Sequence, residues 1–205
     1  MLELLGRLSS INVRKVLWTC LELGFEPSLT EWGSGSRSLQ APEFLALNPN
    51  GLVPVVKDGG FVLWESNAIC RYLAHKHRRF DLLPEGPAER AIVEQWMDWQ
   101  LTEINNAWRY AFMGLVRHSP KHRDASAIAD SVTQWNHQMA ILDRTLGRTG
   151  AFVTGEAFTL ADIVVGLSTH RWYATPITRP QLTAVAAYYA RLRERPAFAR
   201  YSDQA

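Results

Sequence analysis

The sequence predicts a two-part chain in which an α/β domain is followed by an all-helical domain. Two runs of β-forming residues, 53–57 and 61–64, flank an Asp-Gly-Gly sequence that is typical of a hairpin turn. After residue 87, apolar residues recur every three or four positions, which is the period of an amphipathic helix. The change of period therefore predicts a change of fold class within the chain.

The boundary is predicted in residues 79–87, where two prolines and a glycine occur without periodicity. We therefore expect an N-terminal domain at residues 1–78, a linker at 79–87 and an all-α helical bundle at 88–205. With 205 residues, the chain is long enough for two small domains that each bury a core.

The N-terminal domain is predicted to contain its elements in the order βαβαββα. Short apolar runs indicate the strands, helical spacing that stops at Gly24 indicates the first long helix, and Ser66 is expected to cap the last helix. The elements are expected, in chain order, at residues 2–5, 13–21, 27–30, 42–47, 53–57, 61–64 and 66–76.

In the C-terminal domain, Thr159 marks the start of a helix. Its side chain and that of Asp162, three residues later, have the spacing of a capping box, and Phe158 and Ile163 have the spacing of a hydrophobic staple. We therefore interpret Asp162 as a structural carboxylate and not as a catalytic one.

Composition argues against several classes of partner. The net charge is only +2 with scattered basic residues, which is unlike a nucleic-acid surface, and no apolar run is long enough to cross a bilayer.

Cys20 and Cys70 lie in apolar helical patterns, which predicts buried, reduced thiols. His118 and His122 are separated by Pro120, so no metal site is expected. The N-terminus does not resemble a signal peptide, which predicts a cytoplasmic location.

Two short motifs indicate a binding site for a small charged peptide. If the Val53-Pro54 bond is cis, the backbone of Val53 turns outward and can pair with an extended peptide; the alternative is a simple proline at a strand edge. Ser66 at a helix start offers a hydroxyl and free N–H groups to a carboxylate, while Glu65 can accept from an ammonium group. An α-amino acid end fits this pair.

Together these motifs resemble the cytosolic glutathione transferase family. The resemblance implies a thioredoxin-like N-terminal domain, an all-helical C-terminal domain, a homodimer, and glutathione as the co-substrate without a metal. Besides the proline-containing linker, it is carried by three stretches, which are Asn48-Pro49-Asn50-Gly51-Leu52-Val53-Pro54, Glu65-Ser66-Asn67-Ala68-Ile69-Cys70-Arg71-Tyr72-Leu73 and Thr159-Leu160-Ala161-Asp162.

The resemblance also implies roles for single residues. Val53 would pair with the cysteinyl backbone of glutathione, so a cis bond before Pro54 is predicted, and Glu65 with Ser66 would hold the γ-glutamyl end. Gln40 and Asn50 are matched to the glycyl carboxylate. The other glutathione-binding candidates are Pro54 and Trp32, of which Trp32 is predicted in an accessible Gly/Ser-rich loop at residues 32–41.

The residue that activates the thiol of glutathione is expected in the loop before the first helix. A thiol has to become a thiolate to attack an electrophile, and a hydroxyl donor beside the sulfur favours the anion. Ser10 resembles the serine of the theta and delta classes, since Arg14 and Val16 complete their Ser-x-x-x-Arg-x-Val pattern. Ser9 stays open as an alternative, because it would be the donor if the loop register differs by one residue. Asn12 stays open as well, because some bacterial classes resemble Thr-Pro-Asn here and use the amide.

The expected function is conjugation of the glutathione thiolate to small apolar electrophiles, as in detoxification. A glutathione-dependent disulfide reductase or peroxidase, and a non-catalytic glutathione-binding module, are the alternatives; an isomerase is a lesser one. The loop lacks a Cys-x-x-Cys pair, so redox chemistry would have to use the thiol of glutathione. Candidates for the apolar pocket of the electrophile are Leu8, Trp108, Tyr110, Phe112, Met113, Trp172 and Tyr173.

Overall fold

The structure is a computed structural model that describes residues 2–33, 35 and 37–202. It divides into two compact units. The first contains residues 2–85 together with 195–202, and the second contains residues 86–194. The predicted helical domain at 88–205 differs from this division at its end, because the last helix packs in the first unit.

The first unit begins with the predicted order βαβαββα, which is confirmed. Each element lies within a few residues of its expected position. The elements are β1 (Leu2–Gly6), α1 (Ile11–Glu22), β2 (Ser28–Glu31), α2 (Pro42–Leu45), β3 (Val55–Asp58), β4 (Phe61–Trp64) and α3 (Ser66–Lys76).

The described strands form one mixed sheet in the order β2-β1-β3-β4. Helix α1 connects β1 to β2 as a crossover, so these two strands are parallel, while β1 with β3 and β3 with β4 are antiparallel. Leu4 in β1 and its register partner Val56 in β3 are both fully buried. The sheet therefore has a hydrophobic face on which the helices of this unit pack.

The second unit is helical in its described elements. A π-helical turn, Gln100–Ile104, joins its first two helices. The other elements are α4 (Pro87–Trp99), α5 (Asn105–Leu115), α6 (Ala125–Thr149), α7 (Leu160–Ala174) and α8 (Thr183–Arg193). Among the described residues, no helix is both long and apolar enough to cross a membrane.

The capping box at the start of α7 is confirmed. The carboxylate of Asp162 accepts hydrogen bonds from the backbone N–H of Thr159 at 2.8 Å and from the backbone N–H of Val153 at 2.9 Å. Asp162 is fully buried, so this carboxylate connects the helix start to the preceding loop inside the core. Its role is structural, as the spacing predicts.

Helix α9 (Pro196–Ser202) completes the first unit at the far end of the chain. It packs along α1: the ring of Phe198 lies 5.2 Å from that of Trp18, and the guanidinium of Arg14 donates to the backbone carbonyls of Tyr201 and Ser202 at 3.0 and 2.7 Å. The carbonyls at the end of α9 thus receive a buried cation, which suits the negative end of a helix dipole.

Candidate functional site

A pocket in the first unit brings together residues from the start of α1, the loop before β3 and the start of α3. Five of its seven lining residues are predicted site residues. The lining residues are Asn12, Asn48, Leu52, Val53, Pro54, Glu65 and Ser66.

The loop before α1 places two of the candidate activating groups at a helix start. Ser10 is the N-cap of α1, its backbone is extended, and its carbonyl accepts from the N–H of Arg14 at 3.1 Å. The Ser10 hydroxyl makes no capping hydrogen bond and is half-buried, which leaves it free to donate to a ligand. Asn12 lies in the first turn of α1, where its side chain lines the pocket.

The Val53–Pro54 peptide bond is cis, as the motif predicts. Val53 precedes β3 and is not part of the sheet ladder. Within the described ranges, no backbone hydrogen bond joins Val53 to another residue. Its N–H and C=O can therefore pair with an extended ligand in the manner of an added strand.

The start of α3 differs in detail from the prediction. Glu65 is the N-cap and Ser66 is the first helical residue, so the expectation that Ser66 caps the helix is wrong by one position. Glu65 has a φ of 72°, which a residue with a side chain rarely adopts and which costs of order 1–3 kcal/mol. This conformation leaves the Glu65 side chain exposed at the pocket, beside the nearly buried Ser66.

Asn48 organises the loop that leads to Val53, a role that the sequence reading missed. It is buried, its side-chain amide donates to the carbonyl of Leu52 at 2.7 Å, and its Oδ1 accepts from the backbone N–H of Asn50 at 3.1 Å. The signal was present in the Asn-Pro-Asn-Gly sequence, because an asparagine side chain often bonds to the backbone two residues later. Asn48 therefore sets the path of the chain into the pocket.

We expect Asn48→Ala to lower the free energy of unfolding by about 2 kcal/mol, since it leaves the carbonyl of Leu52 without its partner. Chemical denaturation followed by circular dichroism measures the loss. The matched control is Asn50→Ala, whose exposed side chain donates to Asn48 Oδ1 at 3.0 Å; because the backbone N–H of Asn50 keeps that acceptor bonded, its removal should change stability by less than about 1 kcal/mol. Equal losses for both variants would contradict the assigned role.

Gln40 and Asn50 lie near each other at the edge of this loop. A Cβ atom at Gly51, where φ is +60°, would approach Gln40 Nε2 to 2.6 Å, so the Gln40 side chain lies across the glycine. Both side chains are exposed. Their placement next to the pocket residues Asn48 and Leu52 is consistent with the prediction that they contact one end of a ligand.

Trp32 is a core residue and does not line the pocket. Its side chain is buried in a hydrophobic cluster with Leu5, Phe44 and Val55, and its ring lies 5.0 Å from that of Phe44. The prediction placed Trp32 in an accessible Gly/Ser-rich loop, but it directly follows β2 and its N–H donates to the carbonyl of Gly6 in β1. Strand pairing thus carries the indole into the core.

The aromatic candidates of the second unit have different environments. Trp172 is 1% exposed and its indole N–H donates to Asn136 at 2.9 Å, so it is a core residue and not a pocket residue. Trp108 and Phe112 are half-buried, and the guanidinium of Arg171 lies 4.2 and 4.3 Å from their ring centroids. Such short distances are typical of cation–π contacts.

Tyr110, Met113 and Tyr173 are half-buried, whereas Leu8, in the first unit, is 40% exposed. Leu8 lies beside a cavity of the first unit that is also lined by Leu29 and Tyr201. The structure thus leaves six of the seven electrophile candidates at least partly accessible. Their assignment to one pocket stays a prediction.

The two cysteines are both buried. Burial raises the pKa of the Cys70 thiol to about 11, and it raises that of Cys20 further. Thr19 Oγ1 donates to Cys70 Sγ at 3.1 Å. Protonated, inaccessible thiols are poor nucleophiles, so the chemistry of this site does not come from a cysteine of the chain.

Comparison with known proteins identifies relatives over nearly the whole chain. Residues 9–76 match the family described as glutathione S-transferase, N-terminal domain. The chain is 39% identical to glutathione S-transferase GstB of Escherichia coli (strain K12), with 96% of this chain and 95% of that protein covered. It is 33% identical to glutathione S-transferase 3 of Zea mays, with 96% and 91% covered.

A solved structure has the same fold over the full length. The theta class glutathione S-transferase of Xanthomonas axonopodis pv. citri, determined with glutathione bound, superposes with a TM-score of 0.92 at 41% identity. The alignment covers 100% of this chain and 98% of that one.

Proposed function

Because the chain belongs to the glutathione S-transferase family, we propose that it binds glutathione in the pocket of the first unit and conjugates the thiolate to a small, mostly apolar electrophile. The observation that carries this proposal is the meeting of Val53, Glu65 and Ser66 with the start of α1 in one pocket. The backbone of Val53, the carboxylate of Glu65 and the hydroxyl of Ser66 can then contact a peptide group, an ammonium group and a carboxylate of one ligand.

Each group has a proposed partner on glutathione. The backbone of Val53 pairs with the cysteinyl residue, because it has no partner of its own among the described residues. The Ser66 hydroxyl and the N–H groups at the start of α3 bind the γ-glutamyl carboxylate, and Glu65 accepts from the γ-glutamyl ammonium group. Gln40 and Asn50 contact the glycyl carboxylate.

Pairing at Val53 directs the cysteinyl sulfur toward the start of α1. There, the field of the helix N-terminus and a donor favour the thiolate over the thiol. Ser10 is the first candidate donor, because its hydroxyl makes no capping bond at this helix start. Asn12 is the second, because its side chain lines the pocket itself.

We expect Ser10→Ala to reduce conjugation turnover at pH 6.5 by about 10²-fold, the usual cost of removing one donor from a developing anion. Affinity for glutathione should change by less than about threefold, since Val53, Glu65 and Ser66 are unchanged. The deficit should shrink toward pH 9, because a free thiol with a pKa near 8.5 ionises there without help. Turnover with a chlorinated nitroaromatic electrophile between pH 6 and 9 measures this profile.

Ser9→Ala tests the other hydroxyl of this loop and should leave turnover within about threefold of the starting protein if Ser10 is the donor. The matched control is Ser28→Ala, an exposed serine of β2 outside the site, which should also leave turnover within about threefold. If Asn12→Ala shows the pH-dependent loss and Ser10→Ala does not, the amide is the donor and the assignment to Ser10 is wrong. Failure of the unmodified protein to bind glutathione would contradict the proposed function as a whole.

A glutathione-dependent disulfide reductase is the second candidate function, and the position of Asn12 in the pocket favours it. In this reaction the bound thiolate attacks a disulfide sulfur, forming a mixed disulfide and releasing a thiolate; a second glutathione then releases the other thiol and forms glutathione disulfide. Faster turnover with a disulfide than with the nitroaromatic electrophile would favour the reductase. The homodimer, the cytoplasmic location and the role in detoxification are further proposals, supported by the family resemblance.

A further inference from the structure

Lys15 is a fully buried lysine on the side of α1 that faces α3. Its Nζ donates to Oδ1 of Asn67 at 3.2 Å, and Asn67 is itself buried. Lysine is almost never fully buried unless it is paired. This contact therefore marks a place where the fold accommodates a cation inside the first unit.

The cation lies directly behind the pocket. Lys15 follows Asn12 by three residues on α1, so the two occupy neighbouring positions on the same face of that helix. Asn67 directly follows Ser66 in the first turn of α3. Asn12 and Ser66 both line the pocket, and the Lys15–Asn67 bond connects the two helix starts that carry them.

Stability alone does not account for this lysine. Removing an ammonium group from water is unfavourable, and replacing a buried charge by an apolar side chain is often neutral or stabilising. The charge does, however, act on α3. Although burial raises the pKa of Cys70, the positive charge of Lys15 has the opposite effect on it. The same charge adds to the positive potential that the first turn of α3 already presents to anions.

We infer that Lys15 is a positioning residue for glutathione, which orients Asn67 and strengthens the attraction of the first turn of α3 for the γ-glutamyl carboxylate. The inference rests on the proposed function and deepens it, because it assigns a source of affinity for one charged group of the ligand. Lys15 acts through Asn67 and through its field, and it does not contact the reacting sulfur.

The test compares two ligands by titration calorimetry of the full-length protein. One is S-methylglutathione, which removes thiol ionisation from the measurement, and the other is its analogue without the γ-glutamyl α-carboxylate. Lys15→Met should weaken binding of S-methylglutathione about tenfold, and binding of the analogue less than twofold. The control is Lys57→Met, which removes an equal charge from an exposed ion pair with Glu3 in the same unit and should change either affinity less than twofold.

Asn67→Asp is a second variant for which the fold is expected to be retained. The new carboxylate would pair with Lys15, and an acidic residue in the first turn of a helix is favourable. Its negative charge nevertheless opposes the carboxylate of the ligand, so S-methylglutathione should bind at least tenfold more weakly while the thermal midpoint is unchanged or higher. Unchanged binding would show that the charge at this contact does not reach the carboxylate of the ligand, and it would overturn the inference.

The outcomes separate this inference from the proposed function. If the unmodified protein binds S-methylglutathione but Lys15→Met binds it equally well, the inference fails and the proposed function stands. Equal weakening for both ligands would assign Lys15 to the fold alone and also overturn the inference. If the unmodified protein does not bind S-methylglutathione, both fail. If Lys15→Met does not fold, unchanged binding by Asn67→Asp overturns the inference.

Discussion

Asp162→Ala is expected to lower the free energy of unfolding by about 3 kcal/mol at pH 7. The substitution removes the acceptor of the Val153 and Thr159 N–H groups, and each buried donor without a partner costs about 1–3 kcal/mol. For a chain of this size, the thermal midpoint should fall by roughly 6–12 °C. Differential scanning calorimetry measures the shift.

The control for this variant is Asp124→Ala, which removes the N-cap of α6. The Asp124 carboxylate is exposed and accepts one hydrogen bond, from the N–H of Ala127 at 2.8 Å. Its loss should cost only about 1 kcal/mol. If the two substitutions cost the same, burial does not raise the contribution of Asp162 as we argue.

The Asp162 carboxylate should also make the free energy of unfolding depend on pH. Burial raises the pKa of Asp162 to about 6, although hydrogen bonds from Val153 and Thr159 oppose this effect. The unfolded state has an ordinary pKa near 3.9, so the folded state binds the proton more tightly at mildly acidic pH. The stabilisation of the folded state that comes from this tighter proton binding is fully present below about pH 4 and is lost as the pH rises through about 6.

Comparison with Asp162→Asn isolates this contribution, because the variant cannot titrate at this position. The difference in unfolding free energy between the original protein and the variant should decrease by about 2 kcal/mol from pH 4 to pH 7. A difference that grows with pH would show that the folded-state pKa is lowered, which is the opposite of the expected shift.

The second large effect is expected for Phe198→Ala, which should cost about 3–5 kcal/mol. Phe198 is 1% exposed on α9 and packs against the fully buried Trp18 of α1. Truncation removes apolar contacts and leaves a cavity beside the indole. Urea denaturation followed by circular dichroism measures the loss.

Arg200→Ala provides the comparison on the same helix. Arg200 forms an exposed ion pair with Glu26, and exposed pairs are screened by solvent and contribute little to stability. We expect no measurable change in the free energy of unfolding for this variant. A loss below 1 kcal/mol for Phe198→Ala would mean that α9 does not belong to the cooperative core of the first unit.

Local patterns were sufficient to predict the order of elements and the helix start at Thr159. The capping box, for example, involves residues only three positions apart, so the local sequence is enough to predict it. The cis bond before Pro54 was anticipated from the motif around it. These features depend little on distant parts of the chain.

Features that depend on distant contacts were not predictable in this way. Trp32 was predicted in a loop, whereas strand pairing places it in the core. Nothing in the local sequence distinguishes Lys15, which is fully buried, from the exposed basic residues of the chain. Asn48 carried a turn signal, but only its burial shows that it controls the loop. Sequence periodicity reports neither which strands and helices pair nor which polar side chains are buried.

The return of α9 to the first unit has a consequence for the order of events during synthesis. Residues 2–85 leave the ribosome long before residues 195–202 exist, so the face of α1 around Trp18 stays uncovered while the second unit is made. Domains generally fold in the order in which they are translated. Here the first unit reaches its final form only after residues 195–202 have been synthesised.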